Sequence, residues 1–498
     1  MSQDRVLITG GLVLPDAETE PLHADILVEG DDILAIEARG SFDPNAGRPV
    51  DASDQMIIPG LVNGHTHGHG ALSKGQVGDR VPLEVFLTEA GGFSGNRTLD
   101  DKRLTAELTA VELVRRGCTT TLDMFGEYPV PSPLGMGAVA DAYETVGMRA
   151  VIAPMMADRT LYQAIPGLLA SLPEPHRETA QAMATAPSSQ ILAGLEDVLK
   201  SWRHDRQRIR PGIAPTIPLH CSDDFMSGCA KLAEDYDTLL QTHLAETRMQ
   251  NIKGLERYGR SLVAHLEGLG LLSERLSAAH GIWLSEEDMS RLGAHGCGVV
   301  HNPMSNLRLG SGVAQARKLK DAGVVLGIGT DATNTSDGQN MFEALRLAAY
   351  LSRISDPDPA RWLEAREAFE AATVGSARIL GFEKIGRLSP GWAADMVFID
   401  LTHITYVPLR APLRQMAFAE SGAAIRSVMI AGRMVLEEGR MTTIDEAALR
   451  KRAEATAARL DAANAETIKG ADAMARLVGC FCLAHAKHEC DVVRTVHG

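Results

Sequence analysis

Aromatic side chains are scarce: Phe, Trp and Tyr make up 4% of the 498 residues, which leaves few stacking platforms. Positive charge is in deficit as well. The formal net charge of -15 disfavours a polyanion partner such as nucleic acid. No apolar run is long enough to span a bilayer, so a membrane partner is not expected. The opening stretch, MSQDRVLITGG, lacks the long apolar segment of a secretion signal, and the expected location is the cytoplasm. The cysteines, at 118, 221, 229, 297, 480, 482 and 490, are odd in number and follow no disulfide framework, so reduced thiols are expected. What the chain has is ordinary for an enzyme: 45% hydrophobic and 23% charged residues, enough for a barrel-sized core and a second module.

Residues 5–58 carry short strand-like runs, Val6–Leu14, Ala24–Val28 and Ile33–Ala38, punctuated by Gly10-Gly11, Glu29-Gly30 and Asp31-Asp32. From residue 59 the pattern becomes strand, loop, helix, repeated. Eight buried-strand candidates follow: Met56–His67, Cys118–Phe125, Arg149–Met156, Ile209–Thr216, Leu239–Glu246, Leu276–Ile282, Cys297–Pro303 and Val324–Asp331. Helical spacing is read over Lys102–Arg116, Met136–Val146, Ile191–Trp202, Glu286–Leu292, Ala314–Ala322 and Met341–Leu351. Alternation of this kind predicts an α/β fold, a (β/α)8 TIM-like barrel. An open doubly wound sheet is the alternative, and no G-x-G-x-x-G after the first strand supports it. Strand-turn patterning returns after Gly386, with a turn at Leu388–Trp392, a strand over Asp395–Leu401 and a hairpin about Gly432. The expected domains are therefore a small β-sandwich from both chain ends (1–58 with 387–444), the barrel (59–386), and a helical extension and tail (445–498). Cys480, Cys482, His485, His488 and Cys490 crowd the tail. Their spacing matches no standard zinc module, and free thiols and histidines are expected there.

Active sites of such barrels gather at the C-terminal ends of the strands. The first strand ends in His65-Thr66-His67; side chains alternate along a strand, so both histidines share a face. The fifth ends in QTHLAE, giving His243 and Glu246, and the sixth in AAHG, giving His280. The seventh ends in VVHNP, giving His301 and Asn302, and the eighth in GIGTD, giving Asp331. Each alone reads equally as a polar strand end, and Glu246 as a capping partner of the next helix. Three imidazoles and one carboxylate drawn from this set form a nitrogen/oxygen site suited to zinc or iron(II). An ion there lowers the pKa of its water toward ~7.

PGLVNGHTH, QTHLAET, AAHGIWL, HNPMSNLRLGSG, GIGTDATNTSDGQNMFEALRLA and PGWAADMVFIDL together resemble the amidohydrolase superfamily, and within it the mononuclear deaminase branch, over roughly residues 5–440. The resemblance implies that His65, His67, His243 and Asp331 bind the metal. It implies that Glu246 and His280, with Asp331, carry the proton and oxyanion work. Two-metal members use a lysine at the end of the fourth strand; here that strand reads APTIPLHCSD, so one divalent ion per chain is implied, zinc first and iron(II) as the alternative. The implied reaction is hydrolytic deamination of an amino-substituted nitrogen heterocycle, a purine, pterin, pyrimidine or triazine. Displacement of chloride or an alkylamine from a triazine and cyclic-amide cleavage are the alternatives within the class, and a catalytically silent scaffold is the alternative outside it. A homodimer or higher homo-oligomer is expected.

Substrate contacts are sought at His301, Asn302, Thr216, Met155 and Asp158. Nucleoside deaminases that resemble this chain often carry histidine where Thr216 stands, which argues against an adenosine-type substrate, unless His220 compensates from the same loop. The long glycine-rich loop after the first strand offers Lys74, Asp79 and Glu89 as lid or contact residues, or simply as solvated charge.

Overall fold

The computed structural model describes residues 5–486 and 492–494. Eight parallel strand positions form the barrel wall. One arc runs through Leu61–Thr66, Cys118–Gly126, Arg149–Met156 and the paired fragments Ile209–Pro211 and Ala214–Pro215. The other runs through Leu240–Leu244, Leu276–His280, Gly298–His301 and Val325–Ile328. A bridge from Ile213 to Leu240 joins the arcs on one side. On the other, the Asp331 N–H donates to His65 O at 3.0 Å, and the Thr330 N–H to Asn63 Oδ1 at 3.0 Å. Val62, Leu122, Met124, Val151, Ala153 and Val300 fill the interior.

Two strands expected as single runs are broken. Met56–His67 divides at Gly60 into Gln55–Pro59, which belongs to the outer sheet, and Leu61–Thr66, which belongs to the barrel. A side chain at Gly60 cannot be accommodated, because its Cβ would lie 2.1 Å from Thr119 Oγ1. Ile209–Thr216 is interrupted because Pro211 and Pro215 bring no N–H to the ladder. The six helices read from periodicity are present, and four of them start at side-chain caps, Thr98, Ser132, Ser285 and Asn340. Leu99–Arg115 starts earlier than its apolar spacing indicates, since Thr98 and Asp101 close a capping box.

Both chain ends build one nine-stranded sheet. Its halves meet where Met396–Asp400 runs antiparallel to Gln55–Pro59. It has its own core, including Val6, Ile8, Ile26, Ile57, Phe398 and Met429. A buried ion pair ties it to the barrel: Arg149 Nε stands 2.8 Å from Asp395 Oδ2.

Residues 446–485 form one 40-residue helix, capped by Asp445. It crosses above the catalytic end of the barrel. On one side it packs along a rim helix, Leu83–Ser94, in the loop that follows the first strand. On the other, Met474, Val478 and Phe481 join Tyr162, Ile165, Leu168 and Met249 in a satellite core. Cys480, Cys482 and His485 lie in this helix; His488 and Cys490 lie outside the described residues. Among the described residues no helix is long and apolar enough to cross a membrane.

Candidate active site

The strand-end residues converge. His65, His67, His243, Glu246, His280 and Asp331 are all buried at the C-terminal mouth of the barrel. The backbone there is bent out of ordinary strand geometry: Ala245, His280 and Asp331 hold positive φ values of 49°, 73° and 61°. Such conformations are costly for residues with a side chain and persist where surrounding structure imposes them.

Hydrogen bonds fix the imidazole tautomers. His67 Nδ1 donates to Met124 O at 2.7 Å, and His243 Nδ1 to Thr216 O at 2.6 Å. His65 Nδ1 lies 2.7 Å from Gln241 Oε1. The Gln241 amide is oriented by donating to Gly64 O at 3.1 Å, so its oxygen must accept from His65. With Nδ1 protonated in all three, each Nε2 turns a lone pair inward. Burial also pushes the His67 pKa down to about 4 and that of His243 well below its usual value, so both rings are neutral near pH 7.

This makes a cluster of acceptors without donors. His67 Nε2 lies 3.1 Å from His243 Nε2 and 3.3 Å from Asp331 Oδ1. His65 Nε2 is buried without a hydrogen-bond partner and lies 3.6 Å from the same oxygen. Lone pairs so close repel unless a cation sits among them. The three imidazole nitrogens fall within 4.8 Å of one another, as do the ligand atoms of His65, His280 and Asp331. Burial would raise the Asp331 pKa, but the adjoining imidazoles of His65, His67 and His280 hold it well below the usual carboxylate range. The residues therefore fit a divalent ion: neutral nitrogens and an ionised carboxylate, each oriented from behind.

Glu246 and His280 face the same space. Glu246 Oε2 lies 3.7 Å from His280 Nε2, and Asp331 Oδ2 lies 3.9 Å from that nitrogen. Burial, with the charges of Asp331 and Glu84, raises the Glu246 pKa well above the ordinary value, which favours its acid form. It is not a helix cap; Thr247 caps Arg248–Tyr258. His280 Nδ1 donates to Asn306 Oδ1 at 2.8 Å, which turns its Nε2 lone pair toward the cavity.

A cavity of about 600 Å³ opens above the cluster. Met155 and Thr216 line it, as does His220. The other expected substrate contacts do not. His301 and Asn302 are buried behind the site, His301 facing the Asn306 amide at 3.5 Å. Asp158 accepts from the Ser222 N–H at 2.7 Å and its Oγ at 2.5 Å, fixing the start of the next helix. In the loop after the first strand, Lys74 is paired with Glu112, and neither it nor Asp79 nor Glu89 lines the cavity. That loop contributes Leu83, Phe86, Leu87 and Phe93, together with His69 and Arg97. Gln241 was legible in principle, since it lies two residues before His243 and shares its strand face. Asn306 carries no such signal.

Comparison with known proteins agrees with this geometry. The amidohydrolase family model matches residues 56–435. The chain is 31% identical over 443 residues to a 5-methylthioadenosine/S-adenosylhomocysteine deaminase from Pyrococcus horikoshii, covering 89% of this chain and 97% of that one. Among solved structures it resembles an adenosine deaminase from Xanthomonas campestris with bound zinc, with TM-score 0.80 and 28% identity, covering 92% of this chain and 98% of that one. It also resembles an atrazine chlorohydrolase from Arthrobacter aurescens complexed with zinc, with TM-score 0.81 and 25% identity, covering 91% and 100%.

Proposed function

The chain belongs to the amidohydrolase family and is a hydrolase of non-peptide C–N bonds that deaminates a nitrogen heterocycle; from that premise we propose that it works with one divalent ion per chain, zinc first, held by His65, His67, His243 and Asp331. The observation that carries this reading is the cluster of inward lone pairs: three buried nitrogens and one carboxylate oxygen with no donor among them. When bound, the ion supplies Lewis acidity, lowering the pKa of a water toward ~7.

The remaining chemistry falls to the side chains. His280 presents Nε2 as an acceptor, so it takes a proton from the attacking water. Once protonated, it donates a hydrogen bond to the oxygen newly joined to the ring carbon. Glu246, whose acid form burial and neighbouring charge favour, gives its proton to the adjoining ring nitrogen. The carboxylate so formed takes the proton held by His280, 3.7 Å away, and passes it to the amine; the C–N bond breaks, ammonia leaves, and the added hydroxyl returns its own proton to Glu246 as it becomes the ring carbonyl. Chloride leaves without a proton, so a retained buried acid favours an amine leaving group.

The substrate within this class is open to two readings. The nucleoside deaminases among the relatives put adenosine-type compounds in view. Thr216 stands where such enzymes often carry histidine, while His220 lines the same cavity.

An ammonia-release screen over purines and their nucleosides, pterins, pyrimidines and triazines tests the proposal. The expected result is ammonia from at least one aminated ring, with Glu246→Gln lowering kcat at least ~10²-fold while metal content is kept. Turnover of only chlorinated or cyclic-amide compounds would assign the alternative chemistry. A chain that binds no divalent ion would point to the silent scaffold.

A further inference from the structure

The cavity has two electrostatic halves. At the barrel it is closed by Glu246, Asp331 and neutral imidazoles; at the rim it is lined by Arg97, Lys102 and Arg159 against one carboxylate, Glu127. Glu127 is already engaged, paired with Lys102 and accepting the Ser132 N–H at 2.9 Å. Arg97 has no such partner. It gives one N–H each to His69 O at 2.5 Å and Phe93 O at 3.0 Å, and its buried Nε meets no acceptor among the described residues. Asp101, the carboxylate whose charge it feels, accepts instead from the Thr98 N–H at 2.7 Å and from Arg459 at 2.5 Å. Burial lowers the Arg97 pKa to about 10, so it remains a cation near pH 7.

His69 adds a second donor. Its Nδ1 accepts the Gly126 N–H at 3.0 Å, which places the ring hydrogen on Nε2. The His69 ring lies 5.4 Å from that of His67, so this donor sits one ring beyond the metal cluster. Withdrawing a guanidinium from water without an opposing charge is unfavourable unless something else supplies that charge. We propose that His69 and Arg97 form a subsite for an anionic oxygen substituent, a carboxylate, carried by the heterocyclic substrate. The proposal rests on the deaminase reading for the ring itself but not for the binding.

The test compares a carboxylated cytosine and a carboxylated pterin, each with its unsubstituted parent. Binding to zinc-loaded Glu246→Gln protein is measured by calorimetry, and kcat/KM on the wild-type enzyme. The carboxylated ring is expected to bind more tightly in at least one pair. Arg97→Met should lower the carboxylated-to-parent affinity ratio by about 10- to 100-fold, as for loss of a charge-assisted hydrogen bond. Arg97→Lys should restore part of that ratio, and His69→Phe should lower it by less. If Arg97→Met fails to fold, the other two variants decide. Equal affinity for both members of each pair, or an equal shift of both by every variant, would overturn the proposal. Tighter, Arg97-dependent binding of the carboxylated ring without ammonia release would support the subsite and count against the deaminase reading instead.

Discussion

His67, His243 and Asp331 on the barrel floor, with His65 beside them, and Gly95, Asn96 and Arg97 on the rim above, come to one cavity by different routes. Each floor residue stands at or just past the end of a parallel strand, and at Asp331 a backbone turn with φ 61° completes the placement. Behind each imidazole stands a fixed acceptor: Gln241, Met124 or Thr216. The rim is held by chain far away. Asn96 Nδ2 donates to Asn464 Oδ1 at 2.8 Å across 368 residues, and Asn464 Nδ2 donates to Gly95 O at 3.2 Å. Gly92 lets the two helices touch, since a Cβ there would lie 2.8 Å from Ile468 Cγ1. The floor is suited to fixed chemistry and the rim to selecting what reaches it.

The sharpest way to break this contrast is Asp331→Ala. The variant leaves three neutral nitrogens without the carboxylate that completes the set. Metal and activity should be lost together, as read by elemental analysis and the ammonia assay. A variant that keeps normal turnover would remove Asp331 from the mechanism and with it the claim that the floor is the chemical half.

The same contrast explains what was legible in the sequence. Floor residues could be found by counting to the end of each strand, because the barrel repeats its geometry eight times. Counting could not distinguish a side chain that faces the cavity from one that points behind it. His301 and Asn302 end a strand as His280 does, yet both lie behind the site. The rim was not legible. Leu83–Ser94 contains Gly91 and Gly92, poor helix formers, and its helix is covered by residues 446–485, a relation invisible to local periodicity. Lys74, Asp79 and Glu89 were therefore sought in that loop, whereas Leu83, Phe86, Leu87 and Phe93, with His69 and Arg97, form the cavity wall.

Gln241→Ala probes the floor one layer back. It removes the acceptor of the buried His65 Nδ1–H while sparing every ligand atom. Loss of an orienting partner of this kind typically weakens metal binding 10–100-fold. Zinc competition against a chromophoric chelator measures it. Unchanged affinity would mean that packing alone orients His65.

The smallest effect on the metal is expected from the rim, and deletion of residues 479–498 measures it. Phe481 is 9% exposed, packs in the satellite core, and lies 5.3 Å below Lys253 Nζ. Farther along, Arg494 Nε donates to Ile282 O at 2.8 Å and the Val313 N–H to Arg494 O at 2.8 Å, tying the tail to loops after the sixth and seventh strands. The deletion cuts these ties but touches none of the four ligands or the groups behind them. Cys480 and Cys482 stand in the last turns of the C-terminal helix, outside the ligand cluster. Zinc content should stay at one ion per chain. Stability should fall, since burying a Phe of this kind contributes about 1.5–3 kcal/mol, and KM should rise more than kcat falls because the satellite core steadies the loop carrying Tyr162 and Ile165. Loss of the metal from a truncated protein that still folds would show that floor and rim are one unit, and the division drawn between them would fail.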